Sequence, residues 1–148
     1  PRAEKLCDAY DAAIADVQAR GIKGRPFLIG GKSLGGRVAS MMADAALRAG
    51  TIDGLVCLAY PFHPPKKPEN LRTAHLADLA CPTLICQGTR DPLGTTEDVA
   101  GYDLSGQITI SWLEDGDHDF KPRKRSGRTM EDNLQEAADA VVAFASSL

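Results

Sequence analysis

Phe27-Leu28-Ile29-Gly30-Gly31-Lys32-Ser33-Leu34-Gly35-Gly36-Arg37 decides how the rest of the chain is read. A short apolar run ends in two glycines, a serine follows, and after Leu34 and two more glycines an amphipathic pattern begins. Gly31-Lys32-Ser33-Leu34-Gly35 fits G-x-S-x-G, the sharp strand-to-helix turn that lifts a serine hydroxyl out of a sheet. Glycines two before and two after the serine leave room for the strained backbone such a turn needs. The helix that follows aims its positive end at the hydroxyl, where negative charge would develop. Gly31-Lys32-Ser33 also ends like a phosphate-binding loop, but that motif needs glycine where Pro26 stands. A glycine-rich junction with an incidental serine is the plain alternative.

Outward from this stretch, the chain alternates helix and strand. Leu6, Tyr10, Ile14 and Val17 predict a helix over residues 3–20, stopped by Gly21. Residues 27–30 form a short buried strand. Leu34, Val38, Met41, Met42, Ala45 and Leu47 mark the apolar side of the next helix, ended by Gly50. A strand apolar on both faces spans 54–60, as in parallel sheets. A proline-rich loop (61–70) and a short helix (71–79) follow. Then come a strand (82–88), a short helix (95–102) capped by Thr95 or Thr96, a strand (108–113), a polar loop and a closing helix (129–144). In that last helix Leu134, Ala138, Val141 and Val142 are expected to face the sheet. The fold class is α/β, a parallel sheet with helices on both faces in a single domain over 1–148.

The totals agree with a folded domain. The 148 residues are 43% hydrophobic and 25% charged. The formal net charge of -3 gives no pull toward nucleic acid or acidic membranes. No apolar run approaches membrane-spanning length and no secretory signal opens the chain, so a cytoplasmic location is expected. Cys7, Cys57, Cys81 and Cys86 lack paired metal-ligand spacing and fit buried thiols in a reducing compartment. No metal or cofactor is expected.

Ligands of parallel sheets sit beyond the carboxyl ends of the strands. One strand ends at Ser33, another at Gly88-Thr89-Arg90-Asp91-Pro92, and the last at Glu114-Asp115-Gly116-Asp117-His118-Asp119-Phe120. A hydroxyl, a carboxylate and an imidazole thus follow three different strands, with gaps of 58 and 27 residues. His118 would take the Ser33 proton and return it to a leaving group. Asp91 would hold the imidazole's tautomer. The Leu34 amide would supply one donor to a developing oxyanion. Each residue has a plainer reading: Asp91 as a turn residue before Pro92, His118 as a solvated loop histidine. Asp115, Asp117 and Asp119 hint at a calcium loop, but Phe120 takes its glycine position and Ser126 its bidentate glutamate. His63 is read as a loop histidine without a role, and His75 as a surface helix residue. Lys121, Arg123, Lys124, Arg125 and Arg128 form a basic cluster beside His118, read as a solvated loop or an anion-binding surface; Lys32 could attract an anion or point to solvent.

These residues resemble the α/β-hydrolase superfamily. More narrowly, the blocks at 30–37, 58–65, 87–92 and 115–119 look like the bacterial relatives of testis-expressed protein 30 and of the non-specific-lethal complex subunit 3. The resemblance implies a dienelactone-hydrolase-like core with Ser33, Asp91 and His118 as triad, and no particular substrate; the triad residues themselves point to a small acyl substrate, an ester, thioester or related acyl bond, cleaved by way of an acyl-enzyme. It also implies earlier strands, one loop of which gives a second oxyanion donor, and a partner strand on both sides of the one ending at Ser33. The chain opens with Pro1 and runs straight into helical pattern, so the expectation is the C-terminal part of a larger hydrolase domain. One relative is a chromatin-complex subunit, which makes a non-catalytic interaction module the alternative.

Overall fold

The computed structural model describes residues 2–148; the opening Pro1 lies outside the described residues. Four parallel strands form one sheet in the order β1-β2-β3-β4: Leu28–Lys32, Gly54–Leu58, Thr83–Gly88 and Ile108–Leu113. Register runs Leu28 beside Gly54, Leu55 beside Thr83 and Thr83 beside Ile108, so all four carboxyl ends point the same way. The helices are α1 (Cys7–Ala19), α2 (Leu34–Arg48), α3 (Thr96–Ala100) and α4 (Met130–Ser146), with 3-10 turns at Ala3–Leu6, Ala74–Leu76 and Lys124–Ser126.

Period-two alternation sorts the strand side chains onto two faces. Leu55, Cys57 and Ile85 pack with Ile14 of α1 and with Ala39, Met42, Ala43 and Ala46 of α2. Leu84, Cys86 and Leu113 face the other way and pack with Phe120 and with Ala137 of α4. Both faces of the sheet are therefore covered, as the strand pattern required. The α2 surface against the sheet is built largely of small residues, which lets the helix backbone come close. Leu34 and Ala45, expected on that side, are exposed.

Several local expectations shift. The first strand runs on through Gly31 and Lys32, so the glycine pair lies within it. The 54–60 strand stops at Leu58, because Ala59 turns to φ 54° and the Tyr60 amide donates to Gln87 Oε1 instead (2.8 Å). The helix expected over 71–79 is only the turn Ala74–Leu76. Its backbone groups are engaged elsewhere: the Arg72 amide donates to Phe62 O, Tyr60 Oη donates to Arg72 O, and the Ser105 amide donates to Leu76 O. Thr95 caps α3 and Thr129 caps α4, each in a reciprocal box with an aspartate three residues on.

α4 is rotated from the expected orientation. Asn133 and Ala137 are buried, while Leu134, Ala138 and Val142 lie in solvent. The Asn133 amide donates to Glu114 O (3.2 Å) and Phe120 O (2.8 Å), so a polar side chain anchors the buried face. Val141 packs against the sheet as expected.

β1 pairs only with β2 among the described residues. On its other side Tyr10 of α1 brings its hydroxyl 2.9 Å from both Gly30 O and Gly35 O, tying helix, strand and elbow together. Cys57, Cys81 and Cys86 are buried, and all four thiols are free. Burial pushes the thiols of Cys81 and Cys86 up to about 11, so they stay protonated at neutral pH.

Candidate active site

Ser33 sits between β1 and α2 at φ 51° and ψ -118°, a backbone state that non-glycine residues adopt at a cost of about 1–3 kcal/mol. Its amide donates to Leu58 O (2.8 Å) and its carbonyl accepts from the Arg37 amide (3.1 Å), so the strain is held from both sides. A Cβ on Gly31 would lie 2.6 Å from the Gly35 carbonyl carbon, and one on Gly36 would lie 2.6 Å from Gly31 O. The crowded positions are therefore Gly31 and Gly36. Gly35, the glycine the motif names, would meet only Tyr10 Oη at 3.3 Å.

From β3, Gly88-Thr89-Arg90 leads into a turn that buries Asp91 completely. Asp91 Oδ1 accepts from the Leu93 amide (2.8 Å), and Oδ2 accepts from Gln87 Nε2 (3.1 Å). Oδ2 also lies 2.8 Å from His118 Nδ1. From the loop after β4, the other ring nitrogen, Nε2, reaches 3.0 Å from Ser33 Oγ. Hydroxyl, imidazole and carboxylate thus form one hydrogen-bonded chain. A buried carboxylate with three partners favours the tautomer whose Nδ1 carries the proton, which leaves Nε2 free to accept from the hydroxyl.

The loops carrying Asp91 and His118 are fastened to each other. The Thr89 amide donates to Leu113 O, the Arg90 amide to Gly116 O, and the Asp115 amide to Thr89 Oγ1. A Cβ on Gly88 would lie 2.3 Å from Gly116 O, so the two loops touch backbone to backbone.

The three acids of the suspected calcium loop are otherwise committed. Asp115 takes Arg123 Nε at 3.0 Å and Arg90 Nε at 3.1 Å. Asp117 accepts from the amides of Asp119 and Lys121, and Asp119 pairs with Lys32 at 2.7 Å. Lys32 therefore bridges the elbow to the His118 loop, and this bond holds Asp119 below the usual carboxylate range. Two members of the basic cluster are structural: Arg123 on Asp115, and Arg128 on Asn133 and Glu136.

The hydrogen bond from Arg123, reinforced by its backbone amide, holds the Asp115 carboxyl at about 2, against an ordinary 3.8. A depressed folded value means stability present above the ordinary carboxylate range and lost as pH falls through about 2. The unfolding midpoint in urea is expected to be lower at pH 2.5 than at pH 5, with a shallower fall in Asp115→Asn. Equal slopes for the two proteins would contradict this.

His63 and His75 are neither idle nor superficial. His63 is buried, its Nδ1 2.9 Å from Pro64 O and its Nε2 3.5 Å from Asp98 Oδ2. It sits between the 61–70 loop and α3, with Nε2 making no hydrogen bond among the described residues. His75 is half-buried, with Nε2 2.8 Å from Ser40 Oγ; burial, then the Arg37 charge, lowers its pKa. Gln87 went unnoticed in the sequence. It is a fully buried polar residue inside an apolar strand, and that is the signal that could have flagged it.

A parallel sheet covered on both faces, with a strained serine at a strand-to-helix elbow, defines the α/β-hydrolase class. The model of the alpha/beta hydrolase domain matches residues 1–146, and the chain belongs to that family. Among solved structures it is similar to an alpha-beta serine hydrolase homologue from Coxiella burnetii, with TM-score 0.68 and 18% identity over 94% of this chain. It is also similar to the esterase domain of a Rhodothermus marinus protein, with TM-score 0.63 and 15% identity over 93% of this chain. The likeness is one of fold. The chain spans 60% of the length of the first and 67% of the second. No helix among the described residues is long and apolar enough to cross a membrane.

Proposed function

We propose that this chain carries the catalytic centre of a serine hydrolase acting on an ester, thioester or related acyl bond, with Ser33, His118 and Asp91 as triad. The observation that carries the reading is the unbroken path from Ser33 Oγ through the His118 ring to Asp91, 3.0 Å and 2.8 Å long. Nε2 accepts the serine proton as Oγ attacks the acyl carbon, and Asp91 stabilises the imidazolium that results. The Leu34 amide, at the first position of α2 and aligned with the helix dipole, donates to the developing oxyanion. The imidazolium then protonates the leaving group, an acyl-enzyme remains on Ser33, and water activated by His118 releases the acid. The His118 edge is partly open, 24% exposed, so substrate and water reach it, whereas Asp91 is sealed beneath.

A fluorophosphonate probe tests the reading, because it needs an activated serine and an oxyanion site but no knowledge of substrate. The expected result is one adduct per chain, mapped by mass spectrometry to the peptide bearing Ser33. Intact protein that stays unmodified, with no turnover across a panel of acyl esters, would leave a non-catalytic interaction module.

A further inference from the structure

Arg37 and Arg72 lie beside the elbow, and neither is paired with a carboxylate among the described residues. Arg37 stands one helical turn beyond Ser33. Its Nε is buried and has no hydrogen-bond partner among the described residues. Arg72 comes from the segment between β2 and β3, with its backbone pinned by Tyr60 Oη and Phe62 O. Arg90, Arg123 and Arg128 each reach a carboxylate; neither Arg37 nor Arg72 does so among the described residues. Both line a cavity of about 480 Å³ that Leu34 also lines, and both line an adjoining one of about 340 Å³ walled by Met41, Leu71 and Ala74. Arg2 and Glu4 also line the larger cavity, one of each sign.

Two guanidinium groups held near each other repel unless an anion sits between them. Burial, and then the Arg37 charge, hold the Arg72 guanidinium below its usual range. An orphaned, buried N–H is costly until it finds an acceptor, and a guanidinium matches a carboxylate in shape, two donors to two oxygens.

We infer that Arg37 and Arg72 form a subsite for a carboxylate carried by the substrate, which makes the preferred substrates monoesters of short dicarboxylic acids. The inference rests on the hydrolase reading above for its catalytic half. Leu34, the residue whose amide would face the oxyanion, also lines the larger cavity. The Met41, Leu71 and Ala74 wall suits the aliphatic spacer between the ester and the free carboxylate. The arginines bind and orient; they take no part in proton transfer.

The test compares p-nitrophenyl hemiglutarate with p-nitrophenyl valerate, esters of equal chain length that differ in the terminal charge. The full chain is expected to prefer the anionic ester in kcat/KM. Arg37→Gln and Arg72→Gln should each lower that preference about 10- to 100-fold, chiefly through KM. Lysine at either position should restore part of it, and added salt should weaken it. Equal use of both esters, or an equal loss on both in the variants, overturns the subsite. Circular dichroism checks that each variant folds; should Arg37→Gln fail, Arg72→Gln, on an irregular segment, carries the test. If neither ester is turned over, the hydrolase reading fails while the subsite is still decided by calorimetric titration with glutarate. Saturable binding lost in Arg72→Gln supports it, and absence of saturable binding overturns it. Inorganic phosphate competing as well as glutarate overturns the assignment to carboxylates.

Discussion

Ser33→Ala is expected to lower kcat on an activated ester by about ten-thousand-fold or more, and to erase the fluorophosphonate adduct. Removing the hydroxyl removes the only atom at the elbow that can form the acyl-enzyme, and no neighbour stands in the same position. Cys57 is buried, and burial pushes its thiol far up, so it offers no replacement nucleophile. The substitution should leave the fold in place, since alanine keeps the same Cβ and the same backbone strain at φ 51° and gives up only the hydroxyl's bond to His118. Activity within tenfold of the native protein, with the adduct retained, would place the chemistry on another residue.

Asp91→Asn should cost about a thousand- to ten-thousand-fold in kcat with little change in KM. Oxygen and nitrogen are nearly the same size, so the site keeps its shape. What changes is the sense of one hydrogen bond. The carboxylate accepts from His118 Nδ1, whereas an amide can direct its NH2 there. The ring then shifts its proton to Nε2, where it meets the Ser33 hydroxyl as a donor and cannot act as base. With the amide oxygen kept on the Leu93 amide, the NH2 takes the place of Oδ2, where it faces the ring and also meets a second donor, Gln87 Nε2. Fluorophosphonate labelling should slow in parallel with turnover. A variant that keeps its rate would make Asp91 a turn residue only, the role its neighbour Pro92 suggested.

The elements that could be read from the sequence are those whose signals are local. The elbow needs glycine, and Gly31 is crowded as the motif requires. Asp91 and His118 each follow a strand directly, so strand order and parallel direction suffice to bring them toward Ser33. What escaped reading depends on partners distant in sequence. In α4, Leu134, Ala138 and Val142 recur at helical spacing as convincingly as the buried face. The helix is turned instead by Asn133, whose amide finds two carbonyls at the foot of the β4 loop. Apolar periodicity is blind to such an anchor. The segment at 71–79 has adequate helix formers, yet tertiary acceptors and donors take its backbone groups first. The five basic residues after His118 looked like one patch, but the pairing of Arg123 and Arg128 with acids divides it. Arg37 and Arg72, which reach no carboxylate among the described residues, had been given no role in the sequence reading.

The stitching between the tips of β3 and β4 divides the site into two mechanical parts. Carboxylate and ring belong to one block, clasped by amide bonds and by Asp115. The hydroxyl rides on another, at the turn from β1 into α2. The placement of acid against base is thus settled within one block, whereas that of base against hydroxyl depends on contacts between the two, the Lys32–Asp119 ion pair among them. A substitution at that surface pair would bear on the spacing of Oγ and Nε2 while leaving the bond between ring and carboxylate as it is.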